Sequence, residues 1–138
     1  MSDVKAFLDT NLFVYLYSDS DITKKESVIK AINQYERFIS TQIINEFCNV
    51  CIRKLSMPII AVRKAVAEIC ENCNLVMVDD TTASAALNIY EKYGYSFYDC
   101  LIIVSALESR CRFLLSEDMA DGQTIEGVLT IKNIFQNS

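Results

Sequence analysis

The sequence has no histidine and no tryptophan, only three glycines and one proline, and 13 basic residues against 18 acidic ones. The missing histidine removes every mechanism that needs an imidazole base, an imidazole partner for a nucleophile or a histidine metal ligand. So little glycine and proline in 138 residues argues against a disordered or low-complexity chain and predicts long regular elements. No apolar run approaches the ~20 residues that span a bilayer, and the N-terminal residues show no basic stretch followed by an apolar core. The expectation is a cytoplasmic protein with no membrane partner. A formal charge of −5 argues against coating nucleic acid by broad electrostatic attraction. It leaves room for a nuclease, because a cation held by acids inverts the local field.

What is present is an apolar content of 51% in a length that suits one domain, expected over residues 1–138. Six cysteines in a chain without an export signal read as reduced thiols rather than a disulfide frame. Cys48 and Cys51, then Cys70 and Cys73, form two C-x₂-C pairs at a spacing that matches a four-cysteine zinc site. The alternative reading is a non-catalytic RNA- or protein-binding module, either of the same fold as the leading reading but without activity or stabilised by zinc at these cysteines. Cys48 and Cys51 fall within one amphipathic helical pattern with no glycine to build a knuckle, so core cysteine is the better reading.

Hydrophobic periodicity places strands at 4–8, 37–41, 75–78, 112–115 and 128–131, the last short and at an edge. Helical patterns lie at 12–17, 22–35, 42–55, from Pro58 through Ile69, from Thr81 or Thr82 as cap to Tyr93, and at 97–109. Gly94 is placed to end its helix in the left-handed region. The alternation predicts a three-layer α/β/α sandwich around a parallel sheet of four to five strands.

Four acids stand at element boundaries: Asp9 in FLDTN, Glu46 early in its helix, Asp99 in the first turn of the 97–109 helix, and Asp118 after the fourth strand. Ligands of open α/β sheets bind outside the carboxyl ends of the strands. Taken singly, Asp9 and Asp99 read as helix caps and Glu46 and Asp118 as surface acids. Together, with Glu46 and Asp99 set in apolar sequence, they read as one hard-cation site for Mg²⁺ or Mn²⁺, with Thr10, Asn11 and Ser116 nearby. In SEDMADG either Asp118 or Asp121 can turn inward, and Glu117 is expected to be solvated. Tyr90, Tyr93, Tyr95 and Tyr98 suit a base-stacking platform, although packing around a helix boundary is the plainer reading.

The order FLDTN, INEF at 44–47, FYDCLIIVSAL at 97–107 and SEDM at 116–119 resembles the PIN-domain ribonucleases, particularly the VapC-like toxins of bacterial toxin-antitoxin pairs, over nearly the whole chain. The resemblance implies a PIN-like fold and a Mg²⁺- or Mn²⁺-dependent endoribonuclease acting on single-stranded or structured RNA. Asp9, Glu46, Asp99 and Asp118 would be the catalytic and metal-binding acids, with Ser116 as the supporting hydroxyl and Thr10 and Asn11 bracing Asp9 and the bound water. It also implies a protein antitoxin and a homodimer as partners. Substrate hydrolysis would then use water activated at the ion, with no side-chain nucleophile.

Overall fold

The computed structural model describes residues 4–136; residues 1–3 and 137–138 of the expected domain lie outside the described residues. The chain runs through β1 (Lys5–Leu8), α1 (Thr10–Leu16), α2 (Ile22–Ile32), β2 (Glu36–Ser40), α3 (Thr41–Arg53) and α4 (Ile59–Asn72). It continues through β3 (Asn74–Val76), α5 (Asp80–Tyr93), α6 (Phe97–Glu108), β4 (Phe113–Leu115), β5 (Thr124–Ile125) and β6 (Leu129–Lys132). Ala6, Phe7 and Leu8 are fully buried, as expected of a central strand covered on both faces.

The sheet order is β3-β2-β1-β4-β6-β5, parallel throughout except for the β5–β6 pair. The connections run outward from β1 to β2 and β3, then return past β1 to β4. Right-handed crossovers in opposite directions place their helices on opposite faces. Accordingly α1 packs with α2 and α3, and α3 with α4, while α5 and α6 pair with each other and α6 lies over β2 and β4. The layers and the five parallel strands are those expected.

Four local differences have physical causes. The strand at the chain's end is not an edge: β6 lies between β4 and β5. Two-residue β5 is too short to show alternation, and its hairpin is closed by Glu126 and Gly127, both at positive φ (52° and 72°), with the Val128 N–H on the Ile125 carbonyl at 3.1 Å. The cap of α5 is Asp79 rather than either threonine; its carboxylate accepts from the Thr81 and Thr82 amides, and the Thr82 hydroxyl accepts from the Asp79 amide. Helix α2 stops at Ile32, because the chain must turn so that Tyr35 meets Phe113 edge to face, 5.8 Å between ring centroids, before β2 begins.

Gly94 ends α5 at φ 76°, where a side chain would be strained. Every residue of α6 from Cys100 to Ala106 is buried, which matches its nearly uninterrupted apolar sequence. Among the described residues no helix is long and apolar enough to cross a membrane.

Candidate active site

Strands β1 and β4 are neighbours, and between them the order of connections reverses, so the carboxyl ends of these two strands flank the topological switch point. Asp9 follows β1 there, and its amide donates to the Leu115 carbonyl at the end of β4, 3.0 Å away. One carboxylate oxygen accepts from the Thr10 amide at 2.8 Å and so caps α1. The other accepts from the Ser116 hydroxyl, also at 2.8 Å. Asp9 is only 7% exposed, an unusual place for an acid that has no cationic partner among the described residues lining the cavity.

Glu46 lies a turn and a half into α3. Its two oxygens accept from the Thr10 hydroxyl at 2.6 Å and from the Gln42 amide at 3.0 Å. Asp99 is in the first turn of α6, yet the cap of that helix is Ser96, whose hydroxyl accepts from the Asp99 amide at 3.2 Å. The capping explanation for Asp99 therefore falls away. Asp118 accepts from the Asn11 side chain at 2.9 Å.

These four carboxylates line one cavity of about 250 Å³ together with Thr10, Asn11 and Asn49. Asp121 is elsewhere: it accepts from the Asn133 amide at 2.8 Å and lines a separate cavity beside Lys132. Of the two candidates for a fourth acid, Asp118 is the one that faces Asp9. Glu117 is not solvated as expected; its carboxylate is held by the Tyr15 hydroxyl and by Lys24 at 2.9 Å. Bracing also differs in detail. Thr10 supports Asp9 through its amide but sends its hydroxyl to Glu46, Asn11 reaches Asp118, and Ser116 is the hydroxyl on Asp9.

Burial pushes the Asp9 pKa up to about 6, against the lowering effect of the Ser116 and Thr10 hydrogen bonds, with Glu46 and Asp99 adding repulsion. Asp99 is raised as well, first by burial and then by the nearby Asp118 and Glu46 charges. No Lys or Arg stands among the described residues that line the cavity. Anionic charge accumulated in this way is relieved by a cation or by protons. The donor set, all oxygen, fits a hard divalent cation. Among the described residues no three of the acids converge on a common point. They stand apart on the walls of the one cavity.

The cysteines show no corresponding arrangement. Cys51 is buried and Cys48 half-buried on α3, Cys70 is exposed on α4, and no three thiols come together among the described residues. The zinc alternative has no geometry to support it.

Gln42, Asn49, and the pairing of Tyr15 and Lys24 with Glu117 were not singled out from sequence. For Gln42 a signal existed, since it precedes Glu46 by four residues on one helix face. For the Glu117 contacts there was none, because 102 and 93 residues separate the partners.

A two-way parallel sheet with carboxylates at its switch point defines a class of α/β domains that carry an acidic site on the carboxyl rim. Within that class the chain belongs to the PIN domain family, which it matches over residues 6–120. Its fold is similar to that of VapC20 from Mycobacterium tuberculosis, a sarcin-ricin loop cleaving toxin, at TM-score 0.68 and 15% identity over 82% of this chain and 91% of that one. A toxin-antitoxin complex from Klebsiella pneumoniae is similar at TM-score 0.71 and 16% identity, covering 94% and 98%. The DNA-bound VapBC of Salmonella typhimurium is similar at TM-score 0.66 and 17% identity, covering 95% and 98%. At these identities the likeness is one of fold. No curated protein matches the chain.

Proposed function

We propose that this protein is a metal-dependent endoribonuclease, the toxin of a toxin-antitoxin pair, with Asp9, Glu46, Asp99 and Asp118 as the acids of its site. The observation that carries the reading is the near-complete burial of Asp9 at the switch point, hydrogen-bonded yet raised in pKa, in a cavity with three more carboxylates and no cationic side chain among the described residues that line it. Asp9, Asp99, Glu46 and Asp118 would hold Mg²⁺ or Mn²⁺. A bound divalent ion supplies Lewis-acid activation of water and stabilises charge on the phosphate in an in-line displacement.

The chain's own residues set the geometry. Ser116 and the Thr10 amide fix both oxygens of Asp9, Thr10 and Gln42 fix those of Glu46, and Asn11 orients Asp118. Family membership and the toxin folds it resembles support RNA as substrate and a protein antitoxin as partner. Ile52, Ile59 and Ile60, 48%, 53% and 79% exposed on the packed pair α3 and α4, are apolar surface on which an antitoxin or a second copy would pack.

The test is cleavage of a fluorescent single-stranded RNA panel with Mg²⁺, Mn²⁺ or EDTA, beside Asp9→Asn and Asp99→Asn. Ion-dependent cleavage lost in both variants is expected. Cleavage that survives EDTA or both substitutions would overturn the assignment.

A further inference from the structure

Next to the acidic cavity is a second one of about 370 Å³ that shares Glu46 as a wall and is otherwise lined mainly by Gln42, Asn45, Val78, Tyr98 and Leu101. Its size falls in the ~300–1,000 Å³ range of small-ligand pockets. Glu46, on the shared wall, is the one charged group among the described lining residues. Such walls offer nothing to a phosphate and suit a flat, uncharged ring.

Of the four tyrosines at 90–98, Tyr93 donates to Glu126 and Tyr95 to Gln123, which ties both to the β5–β6 end of the sheet. Only Tyr98 lines this cavity. It is 66% exposed, with its ring edge to face against Phe97, and it directly precedes Asp99. Its backbone is held in place: the Gln42 amide donates both to the Tyr98 carbonyl at 3.1 Å and to Glu46 at 3.0 Å. The oxygen of that amide is buried without a partner, so Gln42 is committed to the bridge between α3 and α6 at the loss of an acceptor bond. Asn45, exposed and directly before Glu46, presents an amide donor and acceptor to the same space. Unstacked bases are bound through an aromatic face and read at their edges by such amides.

We propose that this second cavity is a nucleobase subsite, which takes the unpaired base of the nucleotide flanking the phosphodiester at the acidic site, with Tyr98 as the stacking face and Asn45 as the edge reader. The inference rests on the nuclease reading for the identity of its ligand, and its test is a binding measurement independent of cleavage.

Anisotropy of labelled single-stranded oligoribonucleotides, one for each of the four bases, is measured on the otherwise wild-type protein with Ca²⁺ in place of Mg²⁺, so that the acidic site keeps an ion while cleavage is suppressed. Adding Tyr98→Ala is expected to weaken binding about tenfold for every base, in line with the loss of one base–aromatic stack. Tyr98→Phe is expected to keep the affinity, and Asn45→Ala to flatten the differences between bases. Circular dichroism of Tyr98→Ala should match the parent, because the side chain is exposed.

Unchanged affinity and unchanged base preference in both alanine variants would overturn the subsite while leaving the nuclease reading intact. Weakened binding in Tyr98→Ala, in a protein whose wild type cleaves nothing with any ion, would keep the subsite and remove the nuclease reading. A parent that binds none of the oligonucleotides would overturn the subsite. So would a Tyr98→Ala variant that sediments as a smaller species with unaltered RNA affinity, since the face would then belong to a second copy of the chain.

Discussion

Asp9 sets chemistry and stability against each other. Its carboxyl binds a proton more tightly in the folded state, at about pH 6, than the ordinary value of 3.8, so the folded protein gains from protonation. That contribution is complete below about pH 4 and is lost as pH rises through about 6; above this the ionised, buried carboxylate costs on the order of 3 kcal/mol. Without divalent ions at pH 7.5, Asp9→Asn should therefore melt above wild type, and the gap should close as pH is lowered towards 4. Mg²⁺ should raise the wild-type Tm and leave the variant unmoved, since a ligand that binds only the folded state stabilises it. Melting curves followed by circular dichroism at several pH values check this. A variant less stable than wild type at pH 7.5 would mean that the Ser116 and Thr10 hydrogen bonds outweigh the burial. Ser116→Ala removes a contact that lowers the Asp9 pKa, so the acidic limb of the pH–rate profile should move to higher pH.

The segment after β4 works as an alternating strip. Ser116 and Asp118 face Asp9 and Asn11, while Glu117 between them points the other way, to Tyr15 on α1 and Lys24 on α2. Lys24 is fastened in turn over the Tyr15 and Phe135 rings, 4.8 and 4.9 Å from their centroids, and the Glu117 hydrogen bond raises its pKa. The two helices thus hold the strip whose other side forms the site. Lys24→Met should cost about 1.5–3 kcal/mol, the range for hydrogen bonds to charged groups, measured by urea unfolding. It should also weaken binding of the divalent ion, measured by calorimetry, although Lys24 does not line the cavity. In the opposite helix layer, Gly94→Ala places a side chain at φ 76° at the end of α5; a loss of about 1–2 kcal/mol with unaltered ion binding is expected.

At the scale of the molecule, both helix layers close on one core, and the site is the place where the two directions of the sheet part. Phe47 shows the coupling: it is fully buried, meets Phe13 and Tyr17 edge to face, and immediately follows Glu46. Phe47→Ala should lose about 3–5 kcal/mol. With a single core, near- and far-ultraviolet circular dichroism should still report one coincident unfolding transition, shifted as a whole. Separate transitions would mean that the layers on either side of the sheet unfold independently.

Much of this was legible in the chain. Helical and strand periods located the elements, Gly94 marked a helix end, and the unbroken apolar sequence of α6 implied its complete burial. The acids at strand and helix boundaries located the rim, because a charged residue that interrupts apolar sequence is a local signal. Two-residue β5, the order of strands beyond β4, the choice of Asp118 over Asp121 and the partner of Glu117 were not legible. Periodicity records which side of an element is buried, but not which neighbour buries it. The bonds that decide the site join Thr10 to Glu46 across 36 residues and Asp9 to Ser116 across 107. Element types and the supply of carboxylates follow from the order of residues alone; which of those carboxylates share a cavity depends on sheet order and on which side of each loop faces the rim, and these belong to the folded chain.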